Sequence, residues 1–188
     1  MRYLCLDFET NGFPLKGAAF KDWTLPFSSY PVQLSVHAVE DGEVSQVYDT
    51  VICGVTSRAP WAQNNIRLSL AEIAAGKPFE SMISDLAGLM QEGDVLVAHN
   101  ASFDIDTAIG RTALKLKMDT PALRSILAAP RFCTLRCAYC KGAFRKAPKL
   151  QELCDHFQVE LVNAHDAAAD SLALAKCVAE ALRRGVMF

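Results

Sequence analysis

The sequence predicts an α/β fold in which a mixed sheet is covered by helices. Three observations carry the prediction. Three strand-like runs lie before position 53, two of them joined by a hairpin signal. A four-residue apolar run follows an amphipathic helix, and an Ala/Leu-rich helical stretch closes the chain.

Arg2–Phe8 is rich in leucine and aromatics and leads into Asn11-Gly12, a strand feeding a turn. Phe13–Pro31, with three prolines, Trp23, Lys16 and Lys21, reads as a long loop, and long loops in compact domains are often functional. Val32–Val39 and Val44–Ile52 flank Asp41-Gly42, a hairpin signal. Pro60–Gly76 reads as loop with some helix. Across Phe79–Met90, the apolar residues Phe79, Met82, Ile83, Leu86, Leu89 and Met90 have helical spacing, and Glu92-Gly93-Asp94 closes the helix. Val95–Ala98 is a short apolar strand, and Ser102 is the expected N-cap of a helix running to about Lys117. Ala122–Cys140 and Lys149–Phe157 are expected to be helical. Asp166–Arg184 has apolar residues three and four apart and ends at Gly185.

With 188 residues, 51% of them apolar, and a mean hydropathy of +0.14, the chain is expected to form one domain over 1–188. Disordered and collagen-like classes are excluded. No run approaches the ~20 apolar residues of a membrane span, and acids at positions 7 and 9 arrive too early for a signal peptide. A cytoplasmic protein without a membrane partner is expected. The net charge of −2 hides segregation, because residues 111–149 hold ten Lys/Arg against one acid, Asp119. Such a segment is either a solvated helix surface or the footprint of a polyanion. Seven cysteines, an odd number, argue against a disulfide framework. Cys133, Cys137 and Cys140 have offsets that share one helix face. With Cys154 they read as core, since C-x3-C-x2-C is not a common zinc spacing.

Carboxylates appear where a core should not want them. Asp7 and Glu9 are two apart on a strand, so both point to one face while Leu6 and Phe8 face the other. Held together, they raise each other's pKa unless a cation lies between them, and all-oxygen ligation favours Mg²⁺ or Mn²⁺. Asp104 falls in a first helical turn, where negative charge is also favoured by the helix dipole. His165 and Asp170 are five apart, about 140° around a continuous helix. They converge only if His165 precedes the helix and Asp170 lies in its first turns, with Asp166 as the N-cap. A loop-borne histidine there is a suitable general base.

Asp-x-Glu on the first strand, His-Asn-x-x-Phe-Asp after the fourth and His-Asp-Ala-x-x-Asp at the last helix together resemble the DEDDh family of 3′→5′ exonucleases. That family includes polymerase proofreading subunits, RNase T-like trimming enzymes and three-prime repair exonucleases. The resemblance implies a ribonuclease H-like fold with a mixed five-stranded sheet. It implies that Asp7, Glu9, Asp104 and Asp170 bind two Mg²⁺ or Mn²⁺ ions, and that His165 is the general base. Nucleic acid 3′ ends, single strands preferred, are the implied substrate, and nucleoside 5′-monophosphates the product. Thr10, Asn11, Gly12, Asn100 and Phe103 are the implied substrate contacts. Phe8 and Phe13 join them as stacking candidates, although the opposite-face placement of Phe8 favours core packing. His99 reads as structural. Two departures stand out: Asn11 replaces a usual Thr, and Ile66-Arg67-Leu68-Ser69 blurs a usual His-Gly-Ile-Thr-like segment. A polymerase partner and a homodimer are compatible with the resemblance. The alternatives are an RNA-specific trimming enzyme and a non-catalytic nucleic-acid-binding or polymerase-docking module.

Overall fold

The computed structural model describes residues 1–12 and 29–186. Most of the loop expected over Phe13–Pro31, including Phe13 itself, lies outside the described residues. Among the described residues, five strands form one mixed sheet in the order β3-β2-β1-β4-β5. β1 (Tyr3–Thr10) is antiparallel to β2 (Pro31–Glu40), which is antiparallel to β3 (Glu43–Val51). On its other side β1 is parallel to β4 (Val95–Ala98), and β4 is parallel to β5 (Arg131–Cys133). The β2–β3 hairpin turns at Asp41 and Gly42, whose φ values of 51° and 85° are the positive pair that a tight two-residue loop needs.

Pro60–Gly76 contains two short helices, α1 (Pro60–Asn65) and α2 (Leu70–Ala74). α3 (Phe79–Leu89) follows as expected. α4 departs from the expectation. Over Ser102–Arg111 it is a π-helix that runs on into an α-turn, Thr112–Lys115. Ser102 is not its N-cap, because Ala101 already has helical dihedrals of −50° and −25°. The Ser102 hydroxyl instead donates to Asn100 Oδ1 at 3.2 Å.

The helix expected over Ala122–Cys140 is broken. α5 (Pro121–Ala128) ends because Ala129 precedes Pro130, and the proline ring drives Ala129 into an extended conformation (ψ 146°). Arg131–Cys133 then pairs with Leu96–Ala98 as the fifth strand. A 3₁₀ turn, Thr134–Arg136, leads to α6 (Ala138–Ala143). α7 (Leu150–Phe157) and α8 (Ala167–Arg183) complete the chain, and Gly185 stands at φ 65° just past the last helix.

Two apolar clusters cover the two faces of the sheet. Leu4, Leu6 and Phe8 pack with Leu34, Val36 and Leu96 against α3, α4 and α5. Cys5, Val39 and Val97 pack against α6, α7 and α8. The cysteines expected on one helical stripe come instead from separate elements: Cys133 from β5, Cys137 from the cap of α6 and Cys140 from within it. Cys137, Cys140 and Cys154 are nonetheless buried in the second cluster with Cys5 and Cys177. No helix among the described residues is long and apolar enough to cross a membrane.

Candidate active site

The site begins where β4 ends. β4 pairs with β1 only from Tyr3 to Cys5, so the last residues of β1 project past it. That leaves the Phe8 N–H on an open edge, and an unpaired buried donor is costly. Asp104 Oδ1 accepts from it at 3.2 Å, which brings an α4 carboxylate onto β1. The Asn100 carbonyl starts this turn by accepting from Phe103 N (2.7 Å) and Asp104 N (3.4 Å), and Asn100 makes the corner at φ 117°. Strand alternation then sets the faces. Leu6 and Phe8 enter the core, while Asp7 and Glu9 lie on the face that carries α8. The β1–β2 register shifts between Glu9 and Thr10, an irregularity of the kind that re-aims side chains next to sites.

A polar seat on β2 positions α8. Gln33 Oε1 accepts from Ala167 N at 3.4 Å, and His37 Nδ1 shares a 2.9 Å hydrogen bond with Ser171 Oγ. Asp166 caps the helix, its Oδ1 accepting from Ala168 N and Ala169 N at 3.0 and 3.1 Å. Asp170 therefore falls in the first turn, as the sequence requires. His165 precedes the helix in the left-handed region (φ 68°), and its backbone N–H donates to Asp170 Oδ2 at 3.1 Å. Its ring meets Trp61 of α1 edge-on, with centroids 5.2 Å apart. The Arg67 guanidinium holds the same loop by donating to Asn163 Oδ1 at 3.0 Å.

Glu9, His165 and Asp170 each offer a ligand atom within 4.8 Å of the others'. Asp7 and Asp104 lie outside that tight group but within its electrostatic reach. Burial, then the charges of Asp104, Asp170 and Glu9, hold the Asp7 carboxyl well above the usual carboxylate range. Burial followed by the Asp170, Asp166 and Asp104 charges pushes Glu9 up to about 8. Burial raises Asp104 to about 7 against the opposing Phe8 hydrogen bond, and Asp170 is raised by burial as well. Asp170 Oδ1 is buried with no hydrogen-bond partner. An orphaned buried acceptor costs roughly 1–3 kcal/mol. Mutually raised carboxylates around such an oxygen fit a divalent cation.

The expected substrate contacts divide. Phe8 is 3% exposed in the core, so its ring is not available for stacking. The Thr10 hydroxyl donates to the Gly12 carbonyl at 2.8 Å. Asn11 clamps Tyr30: Asn11 N donates to Tyr30 O at 2.9 Å, and Asn11 Oδ1 accepts from Tyr30 N at 2.8 Å. The Asn in place of Thr thus joins the two ends of the 12–29 connection. Asn100 and Phe103 are half-buried beside Asp104. His99 is structural, with Nδ1 2.8 Å from Thr134 Oγ1 and Nε2 3.0 Å from the Pro148 carbonyl oxygen. Gln33 and Trp61 are site residues that no sequence motif marks, and Arg67 lies in the segment that departs from the family pattern. For Gln33 the signal was present, since Gln33, Ser35 and His37 are alternate polar residues in an otherwise apolar strand.

A family model for exonucleases, of the RNase T type, matches residues 4–178. No curated protein sequence matches the chain. Among solved structures it is similar to E. coli exonuclease I in a zinc-bound complex with ssDNA (TM-score 0.72, 18% identity), covering 97% of this chain. The chain spans only 41% of that protein's length. It is also similar to a 3′-exonuclease that recognises the histone mRNA stem-loop (TM-score 0.73, 12% identity, 98% of this chain and 82% of that one). A third likeness is to exonuclease X in complex with 5′ overhanging duplex DNA (TM-score 0.66, 18% identity, 98% and 94%). At these identities the structures establish the ribonuclease H-like fold, and the family match covers the strand, turn and helix that carry the acids and His165. The chain belongs to the exonuclease family, in its DEDDh 3′→5′ branch.

Proposed function

We propose that this chain works as one domain, a cytoplasmic metal-dependent 3′→5′ exonuclease that removes nucleoside 5′-monophosphates from single-stranded DNA or RNA ends. The observation that carries the reading is the meeting of Glu9, His165 and Asp170 around a buried, unpartnered Asp170 oxygen, with Asp7 and Asp104 alongside. Asp7, Glu9 and Asp170, supported by Asp104, would hold two Mg²⁺ or Mn²⁺ ions. Bound there, the ions supply Lewis acidity that lowers the pKa of an attacking water and neutralises charge on the leaving 3′ oxygen.

The protein's own groups do the rest. His165, exposed at the mouth of the site, accepts the water's proton on a ring nitrogen. Trp61 and the Arg67–Asn163 bond keep the ring over the acids. Asp104 is fixed by the β1 backbone, so its carboxylate needs little reorganisation during turnover. The presence of all five groups argues against a non-catalytic docking module.

Asp7→Ala is the direct test. The variant should keep its circular dichroism spectrum and lose degradation of a 3′-labelled oligonucleotide. Wild-type turnover by a folded Asp7→Ala protein would sink the proposal.

A further inference from the structure

The basic segment found in the sequence takes a specific place in the fold. β1, β4 and β5 are mutually parallel neighbours in the order β1-β4-β5, so their C-terminal ends emerge at one end of the sheet. The acids occupy the β1 end, His99 and Asn100 follow β4, and the basic chain follows β5. β5 lies two strand spacings from β1, about 10 Å.

Not all the bases there are available. Arg124 pairs with Asp119 at 2.8 Å, Arg131 with Asp106 at 2.5 Å and Lys146 with Glu152 at 3.4 Å. Arg136, Lys141 and Arg145 are exposed and make no ion pair among the described residues. They stand on an anchored backbone. The Pro148 carbonyl is held by His99 at 3.0 Å, Thr134 is held by the same imidazole at 2.8 Å, and Phe144 packs on His156 with centroids 5.2 Å apart. His99 thus ties the basic loop to the strand end that leads into Asn100 and Asp104.

We propose that Arg136, Lys141 and Arg145 form a track for the phosphate backbone of a single strand, gripping it on the 5′ side of the nucleotide being removed. The inference rests on the exonuclease reading and adds where the remaining strand runs. With the 3′ end at the β1 acids, the offset of β5 would set these charges beyond the scissile phosphate, and three cations with no acidic partner among the described residues suit successive phosphodiesters.

The test compares wild type with the triple variant Arg136→Glu/Lys141→Glu/Arg145→Glu on two substrates. One is a long single-stranded oligonucleotide. The other is the p-nitrophenyl ester of thymidine 5′-monophosphate, which has no upstream phosphates. The variant's KM for the oligonucleotide should rise on the order of 10-fold or more, with its salt slope reduced by about 2, at ~0.7 per lost contact on a single strand. Its kcat and its ester hydrolysis should match wild type. The corresponding Gln variants should give a smaller KM shift in the same direction. Wild-type KM and salt slope in a variant that hydrolyses the ester would overturn the track and leave the exonuclease reading standing. Failure of the wild-type protein on both substrates would instead remove the reading beneath it.

Discussion

Asp7, Glu9, Asp104 and Asp170 are held so that their neutral forms are favoured, and this fixes the sign of a pH effect. Their folded pKa values lie above the ordinary carboxylate value near 4. Stability from these groups is therefore fully present below about pH 4 and is lost as pH rises through about 7 for Asp104 and about 8 for Glu9. In EDTA, the melting temperature should fall between pH 5 and pH 8 by ordinary thermal scanning. Added Mg²⁺ should restore it, with the larger gain at the higher pH. A metal-free protein that grows more stable over that range would contradict the assignment. His165→Ala should lower turnover by ~10²–10⁴ while keeping the Mg²⁺-induced rise in melting temperature, because the carboxylates remain. At this scale the acids were legible. Strand alternation placed Asp7 and Glu9 on one face, and the five-residue spacing forced His165 off the helix. Trp61 was not legible, because its edge contact with His165 joins residues from distant elements and leaves no local pattern.

At the level of elements, α8 is the piece whose placement the site depends on. Its start is fixed by the Asp166 cap and by hydrogen bonds from β2 to Ala167 and Ser171. Asp166→Ala should cost about 1 kcal/mol in chemical denaturation, the usual loss for an N-cap. An unchanged denaturation midpoint would mean that the cap adds nothing beyond the β2 seat. The sequence showed this helix and its cap because both signals are local. β5 is hidden in the sequence for the opposite reason: three residues are too few for a period to register, and its pairing with β4 is a non-local choice. Pro130 is the local signal that makes it possible, because it forces Ala129 out of the helical region. The π-helical winding of α4 was equally hidden, since its apolar spacing resembles an α-helix. Thr107 Oγ1 reaches back five residues to the Ser102 carbonyl at 3.3 Å, in keeping with that wider turn.

Across the whole molecule, the net charge of −2 conceals a basic run, residues 111–149, part of which follows β5 at the same end of the sheet as the four site carboxylates. Acids gather beyond the end of β4, and bases follow β5, with His99 joining the two. The charge segregation was legible as arithmetic along the chain; its spatial meaning came only with the parallel order of β1, β4 and β5. The most direct test of the central claim is a time course of a 5′-labelled single-stranded oligonucleotide in Mg²⁺, with the released products identified. The account predicts a ladder shortening one nucleotide at a time from the 3′ end, nucleoside 5′-monophosphates as products, and arrest by EDTA. Internal cleavage, nucleoside 3′-monophosphates or undiminished degradation in EDTA would contradict it.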